Sequence, residues 1–199
     1  MTMESDQIIL FLRELDSHLN FRTPVTLYLA GGAAITLVYD HENRTADLDF
    51  VDLPGTLMRK GGQNSSLAKK YRVYLSHLPE ISFSVPSDWR TKCTKLPETF
   101  SNFEIQVASL EDIVLGKLAR LEPKDFEDII SLYESKFLNP EKLLSRLRNN
   151  KKELMKLEYR NNAKLLFKEV FHLRLTFEKG CIKVTDIRGP SIIRPFCPP

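Results

Sequence analysis

The stretch Leu29-Ala30-Gly31-Gly32-Ala33, set between two apolar runs and followed by Asp47-Leu48-Asp49-Phe50, constrains the fold of this chain more than any other feature. Thr26 to Ala30 has the length and composition of a buried strand, and Ala33 to Tyr39 reads as the apolar start of a helix. Gly31 and Gly32 sit at the junction. Glycine there permits positive φ and lets a ligand approach the backbone, while the first N–H groups of the following helix point outward unpaired. The order is therefore a strand, a tight turn, a helix and a second strand.

In the second strand side chains alternate faces, so Asp47 and Asp49 share one face while Leu48 and Phe50 point to the other. Two neighbouring carboxylates repel each other unless solvent or a cation compensates. Mg²⁺ suits such a pair, because it binds one or two carboxylates and keeps waters and substrate phosphates as its other ligands. Two such ions can activate an attacking oxygen and stabilise a leaving one. Manganese is an alternative occupant. A charged outer face on an amphipathic edge strand is the competing structural explanation. For a third carboxylate, Phe103-Glu104-Ile105-Gln106-Val107 alternates so that Glu104 faces one side of a strand. Asp88 competes for that role, although its Pro86-Ser87 neighbours suggest a turn.

A second informative block is 107–130. Ser109 followed by Asp112 resembles a capping box, after which Ile113, Leu115, Leu118, Ala119 and Leu121 form positions for burial. Pro123 suits the first turn of the next helix, where Asp125 and Asp128, three apart, share a face. Lys117 is placed to approach phosphates, and Lys124 to pair with the carboxylates. A helical hairpin with solvated charges explains the same residues without function.

Strand, Gly31-Gly32, helix and Asp47-Leu48-Asp49-Phe50 together resemble the DNA polymerase β-like nucleotidyltransferase superfamily. Position 33 is Ala where many members carry Ser, so a serine contact to phosphate is missing. Lys117, Ala119, Lys124, Asp125 and Asp128 are similar to a block of its toxin-like branch, found in type IV toxin–antitoxin and abortive-infection systems. The resemblance implies the α+β nucleotidyltransferase fold, a mixed β-sheet flanked by helices with a C-terminal helical region, and attack by an acceptor hydroxyl on the α-phosphorus of an NTP such as ATP. Asp47, Asp49 and Glu104 would then hold Mg²⁺. Gly31 and Gly32 would take the triphosphate, and Lys117, Lys124, Asp125 and Asp128 would order the nucleotide. It also implies an RNA acceptor, with tRNA as one candidate, a toxin role, and a protein antitoxin as partner.

The wider chain is compatible with this expectation. With 199 residues, 42% hydrophobic and 28% charged, it can build a real core. The expected division is a catalytic core over 1–108 and a helical region over 109–199 ending in an irregular, Pro-rich tail. The longest apolar stretch, from Val25 to Tyr39, is too short and too interrupted to span a membrane, and MTMESDQ lacks a signal-peptide pattern, so a cytoplasmic location is expected. Cys93, Cys181 and Cys197 fit no ligand pattern, and G-x-x-x-x-G-K-[ST] is absent, which argues against structural zinc and a P-loop. His41, between the glycines and the aspartates, is a further candidate for substrate contact. Residues 136–174 carry eleven Lys/Arg against four Asp/Glu, interleaved with Tyr159, Phe167 and Phe171, a composition suited to a polyanion such as RNA.

Hydrophobic periodicity predicts helices near 6–19, 33–40, 64–78, 110–122, 124–137 and 151–174, with another opened by Asn139-Pro140. Strands are predicted over 26–30, 46–52, 81–85 and 103–107, and Gly61-Gly62 reads as a flexible loop. Two rival functions remain open: a nucleotidyltransferase acting on a small molecule, and a non-catalytic module that uses the same fold to bind nucleic acid.

Overall fold

The computed structural model describes residues 3–39, 45–178 and 181–187, and the chain divides into two compact units. The first contains Met1–Phe83 and Asp88–Ile113; the second contains Ser84–Ser87 and Val114–Pro199. The fold is α+β, as expected, with a mixed five-stranded sheet in the first unit.

That sheet runs β3-β2-β1-β5-β4, with β1 Val25–Leu29, β2 Asp47–Val51, β3 Tyr74–Leu78, β4 Thr94–Lys95 and β5 Phe103–Val107. β1 is antiparallel to β2 and parallel to β5, while β2 and β3 are parallel. Register puts Leu29 opposite Phe50 and Leu48 beside Leu75 on one face, where all four are at most 1% exposed. α1 (Met3–Ser17) contributes Phe11, Leu12 and Leu15 to the same core, each fully buried. The other face carries Tyr74 and Ser76, then Asp47 and Asp49, then Thr26 and Tyr28, then Glu104 and Gln106. None of these eight is buried. Alternation from Asp47 to Phe50 and along β1 and β5 therefore separates a buried apolar face from a more polar open face, on which Val51 is a buried exception.

Between β1 and β2 stands α2 (Gly31–Tyr39), and between β2 and β3 stand α3 (Gly55–Gly61) and α4 (Ser66–Tyr71). The predicted helix over 64–78 is thus shorter, and its second half is strand β3. Arg72 ends α4 in the left-handed region at φ 54°, after which Val73 and Leu75 alternate into the core. Residues 81–85 are not a strand; the segment instead begins within a 3₁₀ turn at Glu80–Ser82, and a second turn follows at Trp89–Lys92. Gly61 is no flexible loop either: it is buried at the end of α3, and a Cβ there would lie 2.8 Å from Leu75 Cδ1.

The second unit holds the second half of α5 (Leu110–Lys117), then α6 (Pro123–Glu134), α7 (Pro140–Asn149), α8 (Leu157–Glu169), β6 (Leu173–Glu178) and β7 (Cys181–Asp186). Its caps follow the sequence. Asn139 Oδ1 accepts from the N–H groups of Glu141 and Lys142 at 2.8 and 3.1 Å, and Pro123 opens α6. Asn150 is 2% exposed, and its side-chain amide donates to Ser84 O and Tyr159 Oη at 2.9 and 3.0 Å. These bonds explain why Ser84–Ser87 belongs with the later helices. The long helix predicted over 151–174 stops at Glu169, and the segment expected to be irregular after Gly180 begins with strand β7. Leu175 and Ile182, both buried, alternate with exposed polar residues, which favours a hairpin over a continued helix. Among the described residues no helix is long and apolar enough to cross a membrane.

Candidate active site

The open face of the first sheet converges on the Gly31 turn. Register continues from Leu29–Phe50 to place Asp49 level with Ala30, whose N–H donates to Asp49 O at 2.8 Å. Gly31 has φ +68°, and a Cβ built on it would stand 2.5 Å from Asp49 Oδ2. The Asp49 carboxylate thus occupies the volume that any other residue at 31 would fill. Gly32 follows as the next residue of α2.

Asp47 lies on the same face two residues earlier, and Thr45 donates its hydroxyl proton to Asp47 Oδ1. Both aspartates are half-buried. Beside Asp47 in register stands Tyr74, and beside Asp49 stands Ser76. Burial, and then the charges of Asp47 and Asp49, push the Tyr74 phenol above its usual range, so it remains a proton donor at neutral pH. Sequence reasoning missed Tyr74 and Ser76 because they fall where a helix was predicted. Alternation from Val73 onward was the signal that could have found them.

Glu104 shares the open face but not the position. It pairs with Thr26, four residues from Ala30 along β1, which is roughly 13 Å along the strand direction. There it accepts from Lys95 at 3.0 Å, Thr26 at 3.2 Å and Gln106 at 3.4 Å. The Lys95 contact, then that of Gln106, holds its carboxyl below the usual range. The structure therefore does not bring the three expected carboxylates together. Among the described residues no group of three or more His, Cys, Asp or Glu is arranged to hold a metal ion. The two aspartates still fit Mg²⁺, whose remaining ligands come from water and phosphate. Asp88 precedes the Trp89–Lys92 turn, and its carbonyl accepts from the Thr91 hydroxyl and N–H at 2.7 and 2.9 Å. Cys93 is not a thiolate at neutral pH, since burial and then Asp112 push its thiol up to about 11.

In the second unit the 107–130 block forms a buried ion cluster. Lys117 Nζ contacts Asp125 Oδ1 at 2.5 Å and Asp128 Oδ2 at 3.1 Å, and Arg120 Nε contacts Asp125 Oδ2 at 3.0 Å. Asp125 also accepts from the Glu122 N–H at 3.3 Å, closing the capping box of α6. The sequence expectation pairs the carboxylates with Lys124. The structure brings Lys117 to both of them, because Leu121 at φ 43° turns the chain so that α6 lays Asp125 against the end of α5. Lys124 is exposed. Ser109 caps α5 as expected, accepting from Asp112 N–H at 3.2 Å and donating to its carboxylate at 2.8 Å. Ile113, Leu115 and Leu118 are buried, but Ala119 is exposed because α5 ends at Lys117. Tyr159, Phe167 and Phe171 are buried, so they are core residues and not stacking platforms. His41 lies outside the described residues.

Gly31→Ala is expected to damage the site twice. A left-handed L-residue costs about 1–2 kcal/mol, and its methyl displaces Asp49. The expected outcome is a melting temperature lowered by a few degrees together with a far larger loss of activity. An alanine variant with wild-type activity would show that the close contact has no function.

The family model described as "Nucleotidyltransferase of unknown function (DUF6036)" matches residues 7–177, from α1 into β6. Searches of curated proteins and of solved structures give no significant match.

Proposed function

The chain belongs to this nucleotidyltransferase family of unknown function, and from that premise we propose that it transfers a nucleoside monophosphate from an NTP to a hydroxyl of RNA, with Mg²⁺ held by Asp47 and Asp49. The observation that carries the proposal is the Asp49 carboxylate lodged in the space left by Gly31. It joins the phosphate-accommodating turn and the acidic strand into one small region.

In this reading Asp47 and Asp49 bind the cation through oxygens on one face of β2. Gly31 leaves its backbone accessible, and the first N–H groups of α2 face the triphosphate. When bound, Mg²⁺ neutralises charge that develops as pyrophosphate leaves. Lys117, Asp125 and Asp128, with Arg120 on Asp125, form a charged cluster of their own in the second unit, and Lys124 beside them is exposed. Support for an RNA acceptor is the excess of cations over 136–174, where Lys151, Lys152, Lys156, Lys164 and Lys168 are all exposed. A toxin role, with an antitoxin to restrain it, belongs to the same proposal and rests on the resemblance of residues 107–130.

The test is incubation of the protein with each labelled NTP and total RNA, with Mg²⁺, with Mn²⁺, or with chelator. Label should enter RNA only when a divalent cation is present. Label on a small molecule alone would replace RNA as the acceptor, and no turnover with any NTP would reduce the chain to a binding module.

A further inference from the structure

One flank of the first unit segregates its charge. Between Asp52 and Glu80 the chain has no acidic residue but carries Arg59, Lys60, Lys69, Lys70 and Arg72, all exposed. The rest of that unit is strongly acidic, with six Lys/Arg against fifteen Asp/Glu. Such clustering creates a local positive field on an otherwise negative body.

Two of these cations stand apart. Lys70 pairs with Glu14, and Lys60 Nζ donates to His18 O at 2.6 Å. The side chains of Lys69 and Arg72, by contrast, have no ion-pair or hydrogen-bond partner among the described residues. Arg72 also occupies the left-handed position that closes α4, at φ 54° and ψ 29°, where glycine or asparagine is the usual choice. An arginine in a backbone conformation that disfavours it, with its charge unspent, points to a use outside the fold. Its location supplies that use. Arg72 precedes Tyr74 by two residues, and Tyr74 and Ser76 lie beside Asp47 and Asp49 on the open face.

We infer that this flank holds the acceptor: Lys69 and Arg72 take backbone phosphates of an RNA, and the Tyr74 and Ser76 hydroxyls meet its reacting end beside the aspartates. The inference rests on the transfer reading above and assigns the side of β2 from which the acceptor arrives. The Gly31 turn lies across β2 on the opposite side, so donor and acceptor approach the carboxylates from different strands. Phosphate is the chemistry that fits. No exposed large apolar side chain falls within 53–79, whereas a docked acidic protein needs an apolar centre to its interface.

The experiment compares binding of a short single-stranded oligoribonucleotide across a salt series for wild type and for Lys69→Gln with Arg72→Gly. Glycine suits the left-handed backbone, so the double variant keeps the fold, and a thermal melt checks this. Loss of two phosphate contacts should weaken binding about tenfold at low salt and flatten the log–log salt slope by about 1.4. Lys164→Gln with Lys168→Gln, on α8, should have the smaller effect. Unchanged affinity and slope in the α4 variant would overturn the inference, as would a larger loss from the α8 pair. Failure of the transfer reading is separately visible: wild type would bind RNA and lose that binding in the α4 variant, yet pass no label to it.

Discussion

Asp47→Asn should abolish label transfer, by roughly three orders of magnitude or about 4 kcal/mol of barrier, while leaving the melting temperature close to that of wild type. Asn keeps the shape of Asp and an oxygen that accepts from the Thr45 hydroxyl, so the local contact survives. It removes one of two like charges on the same strand face, which relieves repulsion and costs the fold nothing. What it takes away is an anionic cation ligand, and no third carboxylate among the described residues stands ready to replace it. Glu104 is committed to Lys95 and lies four residues away along the sheet. The checks are label transfer and thermal unfolding on the same preparation. Growth arrest on induction of wild type, absent with Asp47→Asn, would extend the result to the toxin proposal. A variant that transfers label normally would remove Asp47 from the site.

Lys117→Met carries the second large effect, and it is one of stability. Asp125 is 3% exposed and Asp128 14%, and Lys117 neutralises both. With the ammonium gone, both nearly buried carboxylates lose the cation that contacts them, and Arg120, which contacts Asp125, is itself 64% exposed. Breaking a buried pair in this way costs about 3–5 kcal/mol. The pH dependence should change sign as well. In the wild type, burial pushes the Asp125 carboxyl up, but the Lys117 and Arg120 contacts outweigh it and hold the group below its usual range. Its contribution is therefore present above the unfolded carboxylate value of about 4 and is lost as pH falls through the lower folded value. In the variant burial prevails, the folded value rises, and stability should increase as pH falls from 7 toward that raised value. Urea midpoints measured between pH 4 and 7 test this. A change below about 1 kcal/mol, with no reversal of slope, would mean the cluster behaves as a solvated surface pair.

Much of the site was legible because its grammar is local. The alternation of Asp47, Leu48, Asp49 and Phe50 dictates faces in any strand, and the glycine at 31 announces a backbone that other residues resist. Ser109, Asn139 and Pro123 mark helix starts through bonds made within one turn. Glu104 shows where such reading stops. Alternation correctly assigned its face, but its distance from the aspartates depends on how β5 slides along β1, and no local pattern encodes that register. Tyr74 was hidden for a related reason. Short apolar runs satisfy helix and strand alike, and burial of Leu75 against the core decides between them.

By itself the sequence determined the left-handed backbone of the Gly31 turn and the shared face of the two carboxylates, because each depends on residues a few positions apart. Tertiary structure alone decided that Lys117 reaches Asp125 and Asp128, that Glu104 stands apart from the aspartates, and which strand flanks them. Those outcomes depend on strand register and on the left-handed turns at Arg72 and Leu121, where packing of distant segments outweighs local preference.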